Sequence, residues 1–77
     1  MHKEFRELGI YRLPDGREFV VCSDERDQYV LFTPEAWEDE EGAPDYRVNS
    51  EGRLLSRGIP TRWSVDDLSD TRRTAED

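Results

Sequence analysis

Residues 13–22 read LPDGREFVVC, a turn signal followed at once by a run of strand-forming residues. Proline presets φ for the second position of a turn, and glycine tolerates the positive φ that closes a hairpin. We therefore predict that Gly9 to Leu13 pairs antiparallel with Glu18 to Cys22 around the turn Pro14-Asp15-Gly16.

Further turn signals divide the middle of the chain into short runs. The polar residues 23–28 and the turn Ser50-Glu51-Gly52 each separate segments rich in Val, Leu, Phe and Tyr. Residues 19–22 and 29–32 are apolar at successive positions, so apolar side chains are expected on both faces of the sheet. In a sheet covered on one side, apolar and polar residues alternate along each strand. The sequence thus predicts a mainly β fold of four to five strands with one or two short helical turns. It is either a small curled antiparallel sheet or a five-stranded barrel. Its predicted core residues are Phe19, Val21, Leu31, Val48, Leu55 and Trp63.

Two short helical turns are indicated by capping patterns. Thr33 precedes Pro34 and Glu35, and Phe32 stands at staple spacing from Trp37, which predicts a helical turn from Pro34 to about Glu38. This spacing predicts that the main role of Trp37 is that of a structural clamp. Further along, a strand through Trp63 is followed by one helical turn, because Ser64 and Asp67 have capping-box spacing. Residues 3–8 fit a helix and an extended coil equally well.

The chain has 77 residues, enough for a single small domain. We place that domain at residues 1–68. Residues 69–77 contain no large apolar side chain and are predicted to form a disordered tail.

No residue pattern indicates catalysis, a cofactor or a metal. The single cysteine, Cys22, excludes an internal disulfide and a multi-cysteine zinc motif, and it stands in an apolar strand where burial makes a thiol inert. The single histidine, His2, lies beside the start of the chain. Asp24, Glu25 and Asp27 lack the alternating ligands and central glycine of a calcium loop. We therefore expect a non-catalytic binding or accessory module.

Residues 1–7 lack the apolar core of a signal peptide, and no apolar run approaches the length of a membrane span. A cytoplasmic protein is expected on this basis.

Charge is distributed unevenly along the chain. Residues 34–46 carry six carboxylates and no basic residue, whereas residues 47–63 carry four arginines against Glu51 alone. One interpretation is mutual neutralisation together with solubility. The more specific interpretation is a protein-binding surface that receives a basic partner. Its predicted residues are Glu38, Asp39, Glu40 and Glu41, together with any exposed part of Trp37. Both a monomer and a weak dimer remain open.

An alternative function is nucleic-acid binding by a small barrel. In that hypothesis arginines contact phosphates and aromatic side chains stack on bases. The residues are Arg47, Arg53, Arg57 and Arg62 with Tyr46 and Trp63. The net charge of −8 opposes it, because an acidic chain is repelled by a phosphate backbone.

Overall fold

The computed structural model describes residues 5–23, 28–39 and 41–75. Its strands form one antiparallel sheet in the order β6-β5-β4-β3-β2-β1-β7. The strands are β1 Gly9–Arg12, β2 Glu18–Ser23, β3 Tyr29–Phe32, β4 Tyr46–Val48, β5 Arg53–Ser56, β6 Ile59–Ser64 and β7 Ser69–Thr74. One helix, α1 Pro34–Glu38, follows β3, and a single 3-10 turn, Val65–Asp67, joins β6 to β7.

The predicted hairpin turn at Pro14-Asp15-Gly16 is confirmed. The Gly16 N–H donates to the Leu13 carbonyl at 2.9 Å, and the Leu13 N–H donates to the Arg17 carbonyl at 2.9 Å. Gly16 has a φ of 95°, which a residue with a side chain adopts only under strain. The same pattern of hydrogen bonds recurs from Asn49 to Arg53 between β4 and β5. Both are type I turns closed by a glycine in the left-handed region.

Both faces of the central strands are covered, as the apolar runs predict. Val21, Leu31 and Tyr46 lie opposite one another across β2, β3 and β4 and belong to the main core. Val20 lies on the other face opposite Phe32, whose ring contacts the Trp37 ring of α1 at 5.7 Å between centroids. Helix α1 therefore shields the face of the sheet that the core does not reach.

The mainly β fold, a curled antiparallel sheet with short helical turns, is confirmed. The predicted number of strands is not confirmed, since the described residues form seven strands instead of four or five. The five-stranded barrel is also wrong: the sheet is open, with β6 and β7 as its two end strands. The strand through Trp63 is present as β6, whereas β7 was not predicted, because it lies at an edge and has no buried side chain that would give an apolar pattern.

The predicted disordered tail is the clearest correction. Ser69–Thr74 is β7, paired with β1, and Ala75 donates its N–H to the Leu8 carbonyl at 2.8 Å. Backbone hydrogen bonds and ion pairs hold this strand, so it needs no apolar signal. Residues 76–77 lie outside the described chain.

The predicted core is correct for Phe19, Val21, Leu31 and Val48, and Trp63 is half-buried against it. Leu55 is wrong. Its neighbour Leu54 is fully buried opposite Val48, while Leu55 lies on the other face opposite Arg47.

Both predicted helical turns are confirmed at their predicted positions. The Ser64 N–H donates to Asp67 Oδ2 at 2.9 Å, which fixes the start of the 3-10 turn after the strand that contains Trp63. Of residues 3–8, residues 3–4 lie outside the described chain, and residues 5–8 form no helix; a turn closes there, with the Gly9 N–H donating to the Arg6 carbonyl at 3.0 Å. No helix in the described residues is long and apolar enough to cross a membrane.

Candidate functional site

Helix α1 presents Trp37 at the surface of the domain. Thr33 caps the helix, accepting a hydrogen bond from the Ala36 N–H at 3.2 Å, and Pro34 occupies the first turn. Trp37 packs its ring edgewise against Phe32, as the staple spacing predicts. Its side chain nevertheless remains 37% exposed. Trp37 is thus both a clamp on the sheet and an aromatic group accessible to a partner.

The chain after α1 forms a tight turn that holds Glu41 beside the helix. Asp39 Oδ1 accepts the Glu41 N–H at 3.0 Å, and the Gly42 N–H donates to the Asp39 carbonyl at 2.9 Å. A Cβ added at Gly42 would lie 2.1 Å from the Ala36 carbonyl oxygen, so only glycine permits this close approach. The described residues of the acidic segment therefore have a defined conformation.

Four carboxylates of this segment are exposed around Trp37. We define the acidic surface as Glu35, Trp37, Glu38, Asp39 and Glu41. Among the described residues, none of these carboxylates forms an ion pair with an arginine. The fifth predicted residue of the site, Glu40, lies outside the described chain.

Three carboxylates elsewhere in the described chain do form ion pairs with arginine. Asp15 pairs with Arg17 at 2.6 Å, Glu18 with Arg12 at 2.7 Å, and Asp70 accepts two hydrogen bonds from Arg6. The arginine hydrogen bonds hold the pKa of Glu18 below its usual value, and Arg6 does the same for Asp70. These arginines neutralise acids on the β1, β2 and β7 side of the sheet, which leaves the acidic surface negatively charged.

The structure brings only part of the predicted nucleic-acid residues together: Arg53 Nη1 donates to the Arg62 carbonyl at 3.1 Å. Tyr46 is 91% buried by its packing on the core face, edgewise against Phe19, whereas Arg47 lies on the opposite face. The Arg62 guanidinium lies 4.3 Å above the ring of half-buried Trp63, so one face of that ring is covered. Arg57 is exposed in the β5–β6 turn, and Arg53 is exposed on β5.

Cys22 is buried, and burial together with the nearby Glu7 charge raises the pKa of its thiol. In the part of the chain that is described, no group of three or more His, Cys, Asp or Glu side chains is arranged to hold a metal ion. His2 lies outside the described residues.

Sequence reasoning missed one exposed apolar residue near the acidic surface. Ile59, the first residue of β6, is 68% exposed. It adjoins an open groove that also contains Asp45 and Ser56. The signal available in the sequence was Ile59-Pro60 directly after Arg57-Gly58, a strand start where proline favours an edge position.

Comparison with known proteins adds no assignment: no family model matches the chain, and neither a curated protein nor a solved structure shows significant similarity to it.

Proposed function

We propose that this protein is a non-catalytic module that binds a basic protein segment through the acidic surface. The observation that carries the proposal is the grouping, beside the exposed ring of Trp37, of several carboxylates that have no arginine partner in the described residues. Arginines of the chain neutralise Asp15, Glu18 and Asp70, while Glu35, Glu38 and Glu41 have no arginine partner in the described residues. A set of like charges without internal partners steers and orients an oppositely charged protein.

Trp37 gives this surface an apolar centre. Aromatic side chains dominate the binding energy of many protein interfaces, and arginine side chains stack on their faces. Trp37 is partly exposed and held against Phe32, so little side-chain freedom is lost when a partner covers it. A partner that offers arginine fits both the charge and the ring. We place the interaction in the cytoplasm, since the single Cys22 provides no internal disulfide.

Affinity capture from native lysate tests the proposal. The test variant is Glu38→Gln with Glu41→Gln, which removes two charges and leaves the Asp39 turn intact. The control, Glu51→Gln with Asp66→Asn, removes two exposed charges outside the acidic surface. We expect a basic protein to be captured by the wild type and by the control but not by the test variant. Equal capture by all three contradicts the proposal.

The same experiment tests nucleic-acid binding. Capture of nuclease-sensitive material that is lost when Arg53, Arg57 and Arg62 are changed to Ser would replace protein binding with the alternative function.

A further inference from the structure

An open groove continues from the acidic surface across the end of the sheet. One depression, of about 450 Å³, includes Glu35, Asp45 and Ser56 in its lining. A second, of about 710 Å³, includes Asp45, Ser56 and Ile59. The two depressions share Asp45 and Ser56 in their linings and are therefore adjacent; we call them together the Asp45 groove.

The far end of the Asp45 groove contains an apolar patch. Pro44, Ile59 and Pro60 line it together with Ala43. Ile59 is 68% exposed, the largest exposure of any large hydrophobic residue in the described chain. A single exposed hydrophobic residue is ordinary, but here it lies with two prolines in a concave surface. This end therefore suits an apolar side chain.

The near end of the groove is acidic. Glu35 has no arginine partner in the described residues, and Asp45 Oδ2 accepts the Thr33 N–H at 3.0 Å. Arg17 also lines this end, but its guanidinium is paired with Asp15 at 2.6 Å. Arg57 lines the apolar end instead, where its charge disfavours a basic residue of a bound partner. The two ends thus differ in the side chains that they favour.

Side chains, rather than backbone pairing, are expected to provide recognition. Pro60 on the edge strand β6 has no N–H to offer, and the Trp63 N–H donates to Thr61 Oγ1 at 3.2 Å. An incoming strand would find few partners along this edge.

We propose that the Asp45 groove binds an extended segment of the protein partner, with an Arg or Lys against Glu35 and Asp45 and an apolar side chain between Pro44 and Ile59. This proposal rests on the proposed function, since it assumes a basic partner. It adds a specific requirement, an apolar residue close to the basic one in the same segment.

Amide chemical-shift titration with two capped peptides, Arg-Ser-Leu and Leu-Ser-Arg, tests the groove. Each is compared with a counterpart that carries Ser in place of Leu, so the charge is unchanged. We expect the Leu peptide to bind about tenfold more tightly than its counterpart in at least one direction, because it buries most of an apolar side chain. The amides of Ser56, Ile59 and Thr61 should shift.

Variants of Ile59 provide the matched controls. Ile59→Ser should remove the advantage of the Leu peptide, and Ile59→Val should keep it, because valine remains apolar. Both variants should fold, since Ile59 contributes little to the core. Two results would contradict binding in the groove. One is equal affinity for the Leu and Ser peptides in both sequence orders, and the other is chemical-shift changes confined to Glu38 and Glu41.

The variant Glu38→Gln with Glu41→Gln separates the two proposals. If this variant lowers the affinity for both peptides equally and the Leu peptide binds no more tightly than its Ser counterpart, binding through the acidic surface is supported and binding in the groove is contradicted. If the Leu peptide binds in the groove with unchanged affinity in this variant, binding in the groove is supported and binding through the acidic surface is contradicted.

Discussion

Leu54 and Leu55 are chemically identical neighbours with opposite environments. Leu54 faces the core opposite Val48, whereas Leu55 faces outward opposite Arg47. Successive side chains of a strand point to opposite faces, so one residue of register decides which leucine is buried. Nothing local distinguishes them, because the register of β5 is set by its pairing with β4.

This difference gives a matched pair of substitutions. Leu54→Ala should lower the free energy of unfolding by about 2–5 kcal/mol, the usual cost of truncating a fully buried leucine. Small domains have about 5–15 kcal/mol in total, so much of this protein's stability would be lost. Leu55→Ala should cost clearly less. Urea denaturation of both variants checks the prediction, and an equal loss would show that the assigned register is wrong.

Strand β7 shows how an element can form without apolar residues. It pairs with β1 through a ladder whose register shifts between Ile10 and Tyr11. Thr71 Oγ1 donates to the Ile10 carbonyl at 2.6 Å, and the side chains of Arg6 and Asp70 form two hydrogen bonds. Arg73 adds an ion pair to Glu18 on β2. Charge and backbone pairing therefore attach the last strand to the sheet.

The attachment of β7 should depend on pH. Arg6 lowers the folded-state pKa of Asp70 from its ordinary value of 3.8, and Arg12 and Arg73 lower that of Glu18 from 4.5. A lowered folded-state pKa stabilises the fold above the unfolded value, and this contribution is lost as the pH falls through the folded value. We expect amide exchange of β7 to accelerate as the pH drops below about 4.5, after correction for intrinsic exchange.

Asp70→Asn isolates the contribution of one carboxylate. The variant should show faster β7 exchange at neutral pH and a weaker acid dependence than the wild type. Asp66→Asn is the control, because Asp66 is exposed and has no ion pair among the described residues. A β7 that exchanges identically in wild type and Asp70→Asn would contradict the assigned role of the Arg6 pair.

The elements that the sequence predicted are those with local causes. Pro14-Asp15-Gly16 closes its hairpin and Thr33 starts α1 through contacts within a few residues. The strand β7 was missed because its partner, β1, lies near the other end of the chain and its side chains are polar. The acidic surface was predicted from charge alone, whereas its lack of arginine partners among the described residues became visible only in the fold.

At the scale of the whole molecule, the ion pairs divide the surface. The described arginine–carboxylate pairs connect Arg6, Arg12 and Arg73 to acids around β1, β2 and β7, with Asp15 and Arg17 in the adjoining turn. The carboxylates around Trp37 lie outside this network. In the described residues, four carboxylates without an arginine partner thus lie in one segment together with the exposed ring of Trp37. That combination is the basis of the proposed function.

The most direct test is the rate of association with the captured basic partner at increasing salt concentration. The screening length falls from about 10 Å at 0.1 M salt to about 3 Å at 1 M, so a wild-type rate that depends on the acidic surface should fall steeply. Glu38→Gln with Glu41→Gln should associate more slowly at low salt and converge with the wild type at high salt, while Glu51→Gln with Asp66→Asn should follow the wild type more closely. A test variant with the wild-type rate and salt dependence would contradict the account.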